Sequence, residues 1–169
     1  QPYFSVIVAA RNEEANIRSC LGSLLGQDYS SNNFEVVLVD DHSTDETLTI
    51  AREFQANHPA FRLKVIMSPD PPDETFVAYK KLAIQEGIRQ ANGDWIVTTD
   101  ADCHAPVTWL KTLAGFIREK SPYLVAGPVQ FNANKKPLEA MQALEFMSLI
   151  GIGAASIRHQ APNMCNGAN

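Results

Sequence analysis

The sequence predicts an α/β fold in which a mostly parallel sheet is covered by helices, and three observations lead there. Four short segments rich in β-branched residues, "YFSVIVAA", "FEVVLVD", "FRLKVIM" and "DWIVTTD", recur through the first hundred residues. Between them lie stretches whose apolar residues repeat with the one-sided spacing of a helix. The strand segments are apolar at nearly every position rather than every second one, as expected where both faces of a sheet are covered.

Each element has its own signal. After the strand Tyr3 to Ala10, the residues Ile17, Cys20, Leu21, Leu24 and Leu25 fall on one helical face. The strand Phe34 to Asp40 leads into "STDET", where Ser43, Thr44 or Asp45 is the N-cap of a second helix with Thr47, Ala51 and Phe54 on its inner face. The strand Phe61 to Met67 is followed by the stiff loop "SPDPPDET" and by a third helix with Ile84, Ile88 and Ala91 facing inward. Gly93 reads as the stop of that helix. The strand Asp94 to Asp100 then leads to a helix with Val107, Leu110, Ala114 and Ile117 on one side, a strand "YLVAGPVQF", and a long helix starting near Pro137, a favoured early-helix residue.

At 169 residues and 45% hydrophobic content the chain is one domain or part of one. A net charge of -5 and a pI near 5.3 argue against a nucleic-acid binder, which carries a basic surplus. A small anionic ligand needs a local exception to that charge: a metal ion, helix N-termini, or a few placed Lys and Arg residues. Cys20, Cys103 and Cys165 are far apart and lack CxxC spacing, so the expectation is a reducing compartment, small buried or half-buried thiols, no disulfide and no zinc site. There is no signal-peptide pattern, and the longest weakly polar run, Phe146 to Ile157, is shorter than the roughly 18 residues of a membrane span. The chain opens almost directly in a strand and closes on "NMCNGAN", so it is expected to be a piece of a longer protein.

In open parallel sheets ligands bind at the carboxyl ends of the strands. Those ends carry Ala10, Arg11, Asn12, Glu13 and Glu14; Asp40, Asp41, His42 and Ser43; Ser68, Pro69 and Asp70; and Asp100, Ala101 and Asp102. Two carboxylates at i and i+2 on a tight turn suit a hard divalent cation, Mg²⁺ or Mn²⁺, which keeps waters and takes further oxygens from a diphosphate. The plain alternative is that one of Asp100 and Asp102 caps the next helix while the other is solvated. "VLVDDH" also occurs where receiver domains begin, but there the acidic pair follows the first strand, and here a full strand and helix precede Asp40. A dinucleotide site is not supported, because "AARNEEAN" holds no GxGxxG.

Four motifs in order, "FSVIVAARNEEANIRSCLGSLLGQDY", "FEVVLVDDHSTDETLTIA", "KKLAIQEGIRQANGDWIVTTDAD" and "NGAN", resemble the family 2 glycosyltransferases of the GT-A fold over essentially the whole chain. The resemblance implies a GT-A nucleotide-diphospho-sugar domain, a Rossmann-like sandwich cut short at its C-terminus. Its nucleotide-sugar-binding part spans about residues 1–105, and an acceptor-side part begins at about 106 and runs to 169. It places Ala10, Asn12, Glu13 and Asp41 around the base and ribose, with Asp40 beside them, and Lys80 against the nucleotide or its phosphates. Asn12 and Glu13 also read as caps of the first helix. Tyr79 stands where the family has a glycine, which alters the local loop. Asp100, Ala101 and Asp102 fall on the family's D-x-D, with Asp100 toward the ribose and Asp102 on the metal, and Gly127 and Asn169 fall on the acceptor side.

The implied activity is inverting transfer of a sugar from a nucleotide-diphosphate donor, UDP-linked, to an acceptor hydroxyl of a saccharide or lipid, dependent on Mg²⁺ or Mn²⁺. The catalytic base is expected beyond residue 169, so this piece binds donor better than it turns it over. Relatives of this kind point to a parent attached to the membrane from its cytoplasmic side through segments absent from this chain. The rivals are a sugar-phosphate nucleotidyltransferase, whose Gly-rich, basic first turn is missing here, and a non-catalytic assembly module docking through Phe146 to Ile157.

Overall fold

The computed structural model describes residues 1–71, 78–130 and 137–159, and divides into two compact units, Gln1–Ser121 and Pro122–Asn169. In the first unit β1 (Phe4–Ala10), α1 (Ile17–Leu25), β2 (Phe34–Asp40), α2 (Thr47–Asn57), β3 (Leu63–Met67), α3 (Tyr79–Arg89), β4 (Trp95–Asp100) and α4 (Trp109–Lys120) follow in chain order. The four strands form one all-parallel sheet in the order β3-β2-β1-β4. The α/β class and the parallel sheet predicted from the sequence are therefore present.

The inner strands are apolar on both faces because both are covered: every residue of β2 is buried, and all but one of β1. On one face Ile7, Val37 and Val39 pack with Ala83 of α3. The side chains of α2 cover β2 and β3, and α1 packs on α2. Near the strand starts, Phe4, Tyr29, Phe34, Phe61 and Phe54 form a continuous aromatic run with centroid separations of 5.5 to 6.5 Å.

Several details differ from the sequence reading. β3 begins at Leu63, because Phe61 is held in a turn by its N–H to the His58 carbonyl while its ring joins the aromatic run. The buried residues of α3 are Ala83 and Gly87, and Ile88 is exposed. The reason is close approach: a Cβ on Gly87 would lie 2.5 Å from Ile7 Cγ2. Gly93 serves the same end rather than stopping the helix, since a Cβ there would meet the Ser5 backbone nitrogen at 2.5 Å. The N-cap of α2 is Glu46 rather than Ser43, Thr44 or Asp45, because the first helical bond runs from the Ile50 N–H to the Glu46 carbonyl; Asp45, one residue earlier, accepts the Thr47 N–H on its Oδ1 at 3.0 Å in a local turn. Val107 lies outside α4 and is exposed, while Leu110, Ala114 and Ile117 are buried as expected.

In the second unit, residues 122–130 contain no strand, so "YLVAGPVQF" is not one over its described residues. The unit's long helix, α5 (Pro137–Arg158), starts where Pro137 foretold. Leu138, Met141, Leu144, Met147, Leu149 and Ile152 are all exposed along it. Contrary to the expectation from the sequence, the 20 residues Pro137–Ser156 hold an 18-residue stretch with a mean hydropathy of 1.2, so the helix is long and apolar enough to cross a membrane by length and composition. The uninterrupted run alone missed this because Glu139 and Glu145 break it without lowering the average below that of a span. Core helices of soluble proteins pass the same measure.

Candidate functional site

The chain leaves β1 toward β2 on one side, and β4 returns on the other, so the strand order reverses beside β1. At such a reversal two loops diverge and leave a crevice at the carboxyl ends of the strands. A cleft of about 330 Å³ lies there. The end of β1 contributes Ala9, Ala10, Arg11 and Glu13, and β2 contributes Asp41. The end of β4 contributes Asp100, Ala101 and Asp102, and the first turn of α3 brings in Tyr79 and Lys80.

Charge in the cleft is arranged in pairs. The Lys80 ammonium lies 2.7 Å from Asp100 Oδ1, and an Arg11 guanidinium nitrogen lies 3.7 Å from Asp41 Oδ2. The Arg11 guanidinium also stands over the Tyr79 ring, 5.0 Å from its centroid. Glu13, Asp41, Asp100 and Asp102 against Arg11 and Lys80 leave two uncompensated negative charges. An anion entering this cleft therefore meets repulsion that one divalent cation would cancel.

Donor chemistry fits such an ion in one way only. Among the described residues no three His, Cys, Asp or Glu side chains come together as a metal cage. Asp100 and Asp102 supply hard oxygens from one turn, which suits a cation that keeps waters and takes its remaining oxygens from a ligand. Asp102 is exposed and His104 is exposed beside it.

The loops are tied to one another. Asn12 and His42 adopt left-handed backbone, with φ of 56° and 57°. Asn12 donates its N–H to Ser43 Oγ at 3.0 Å, and its Oδ1 accepts the Thr44 N–H at 2.8 Å. The Glu13 N–H donates to Thr47 Oγ1 at 2.7 Å. The Asn12 side chain is thus spent on the β2–α2 loop, neither lining the cleft nor capping α1. Asp40 is also outside the lining: fully buried, its Oδ2 accepts the Ser43 N–H at 3.1 Å and closes that turn. The His42 ring sits between Asp41 Oδ1 at 3.4 Å and Asp70 Oδ1 at 3.1 Å.

Ala10, Glu13, Asp41, Lys80, Asp100, Ala101 and Asp102, all picked from the sequence, are brought together in the cleft. Gly127 belongs to the second unit, and Asn169 lies outside the described residues. Arg11, placed at a strand end but given no role, and Tyr79, noted only for altering the loop, also line the cleft; their signals were a cation in the first strand-end loop and a ring directly before Lys80. Cys20 lies behind the acidic turn, its Sγ 3.8 Å from the Asp100 carbonyl oxygen. Burial first, then the nearby charges of Cys103, Asp102, Glu13 and Asp100, push its thiol up to about 12, so it is a packing group.

A larger recess of about 490 Å³ opens at the opposite end of the strands, around Glu35, Arg62 and Lys64. Glu35 Oε1 accepts from Ser5 Oγ and the Asn92 N–H, each at 2.7 Å, and Oε2 from Asn92 Nδ2 at 3.0 Å. Its oxygens are occupied in joining β1, β2 and the α3–β4 turn, and the strand-end rule favours the smaller cleft.

The family model described as "Glycosyl transferase family 2" matches residues 5–166. The glycosyltransferase AglE of Haloferax volcanii is 33% identical over 77% of this chain and 40% of its own length. Among solved structures, Staphylococcus aureus TarS 1–349 in complex with UDP-GlcNAc superposes with a TM-score of 0.64 at 32% identity, over 80% of this chain and 37% of that one. The mannosyltransferase PcManGT from Pyrobaculum calidifontis, in complex with GDP-Man and Mn²⁺, gives 0.60 at 29% identity, over 85% and 39%. The chain spans about two fifths of the length of these relatives.

Proposed function

The chain belongs to glycosyl transferase family 2, and from that premise we propose that its cleft holds the nucleotide-diphosphate part of a sugar donor, UDP-linked, for metal-dependent transfer to an acceptor hydroxyl with inversion. The observation that carries this is the convergence of Asp41, Lys80, Asp100 and Asp102, from three separate elements, on one cleft at the strand reversal. UDP-GlcNAc and GDP-Man in the two neighbour structures are donors of this class, and both bases present an N–H on the pairing edge. A carboxylate accepts from such an edge, which is the role assigned to Asp41.

Each residue then has a task. Asp41 and the β1 loop hold the base, Asp100 meets the ribose, and Asp102, with Asp100 beside it, would ligate Mg²⁺ or Mn²⁺. When bound, that ion would neutralise the departing diphosphate as a Lewis acid. Lys80 adds a second positive charge next to the diphosphate once its pairing with Asp100 loosens, and the α3 N-terminus adds the favourable end of its dipole. In a single in-line displacement the acceptor hydroxyl must lose a proton. In this reading Asp41, Asp100 and Asp102 are engaged in binding the donor, so none of them serves as that base. The acceptor is a saccharide or a lipid.

Thermal melting tests the reading. UDP should raise the midpoint with Mn²⁺ present and leave it unmoved in EDTA, since a ligand that binds only the folded form stabilises it. A shift that is equal in Mn²⁺ and EDTA contradicts the metal-bridged cleft.

A further inference from the structure

We infer that Tyr79 is a positioning residue that holds the Arg11 guanidinium as a flat plate for the base of the donor nucleotide; this rests on the donor-cleft reading above. Arg11 is half exposed, and its nearest approach to Asp41, 3.7 Å, is longer than a hydrogen bond. One loose ion pair does not fix a side chain with so many rotors. The ring beneath it is the second anchor, with the guanidinium carbon 5.0 Å from the Tyr79 centroid. A planar cation held on an aromatic face keeps its own plane fixed, and guanidinium planes stack on flat π-systems.

The location selects the ligand part. Arg11 follows β1 and leans toward Asp41 at the end of β2, whereas Asp102 follows β4 on the other side of β1. One inter-strand spacing of about 4.8 Å separates the strand end of Arg11 from that of Asp102, and two separate that of Asp41 from it. A diphosphate at Asp102 has no flat face to lay on the plate, but the base of a nucleoside diphosphate does. Asp41 stands at the edge of the plate, where a base lying on Arg11 would present its N–H groups. Lys80, the next residue, faces Asp100, so one helical turn sends a ring toward the base and a charge toward the phosphates.

Calorimetric titration of the chain with UDP and with inorganic pyrophosphate, both in Mn²⁺, tests this. For Tyr79→Ala the expected result is roughly tenfold weaker UDP binding with pyrophosphate binding within about twofold of the parent. Tyr79→Phe keeps the ring and should restore UDP binding, whereas Arg11→Lys keeps the charge, loses the plane, and should behave like Tyr79→Ala. Equal loss of both ligands in Tyr79→Ala, unchanged UDP binding, or failure of Tyr79→Phe to restore it overturns the plate. If Tyr79→Ala does not fold, Arg11→Lys decides alone by the same UDP-selective loss. A parent chain that binds neither ligand refutes the donor cleft itself, a result distinct from a parent that binds both while the variants match it.

Discussion

At the scale of single residues, the same chemistry does different work depending on what it touches. Asp40 and Asp41 are neighbours, yet Asp40 closes a turn through the Ser43 N–H while Asp41 faces Arg11 and the cleft. Glu35 is a buried carboxylate with a structural purpose. Burial alone would raise its pKa, but the hydrogen bonds from Ser5 and Asn92 and the charge of Lys64 outweigh that and lower it. A carboxyl held lower in the folded state stabilises the fold above its unfolded value, about 4.3, and that contribution is lost as pH falls through the lowered value. Glu35→Gln leaves the Asn92 amide facing a second amide, and should cost about 1–3 kcal/mol at neutral pH. Urea denaturation of both proteins at pH 7 and at acid pH checks this: the gap should narrow on the acid side, and a gap independent of pH contradicts the assignment.

At the scale of elements, α3 shows what the sequence made legible and what it did not. Its existence follows from apolar spacing, but its inner face does not. Ile84 and Ile88 are larger than Ala83 and Gly87, and hydrophobicity alone favours them; the sheet comes too close for them. The two glycines bounding this contact should therefore be intolerant to different degrees. A methyl on Gly93 meets backbone of Phe4 and Ser5, which cannot move aside, whereas one on Gly87 meets side-chain carbons of Ile7 and Val39. Overpacking of this kind costs about 1–3 kcal/mol. Gly93→Ala should lie at or above the top of that range and Gly87→Ala below it, by chemical denaturation. The reverse order would mean that the α3–β4 turn is looser than the structure shows. Likewise, the strands Phe34 to Asp40 and Trp95 to Asp100 could be read to within a residue, because apolar runs bounded by acids have sharp edges. Phe61 was read as strand because an aromatic in a turn carries no local sign of it.

At the scale of the whole molecule, the parallel sheet and its strand-end acids could be read without coordinates. The β-branched runs fix the strands, and the strand-end rule then gathers the acids. Which of two adjacent polar residues turns into the cleft could not be read. Asn12 is drawn away by the Ser43 and Thr44 loop, more than thirty residues along the chain, through hydrogen bonds that no local pattern encodes. The partnership of Arg11 with Tyr79 is equally non-local, joining the end of β1 to the start of α3. We propose that a cleft in the first unit with two surplus negative charges nonetheless receives a diphosphate. Isothermal titration of UDP with and without Mn²⁺, on the parent chain and on Asp102→Ala, measures that claim most directly. The expected result is at least about tenfold tighter binding with Mn²⁺ in the parent, about 1.4 kcal/mol, and little metal effect in the variant. Equal metal effects in both proteins, or none in the parent, would contradict it.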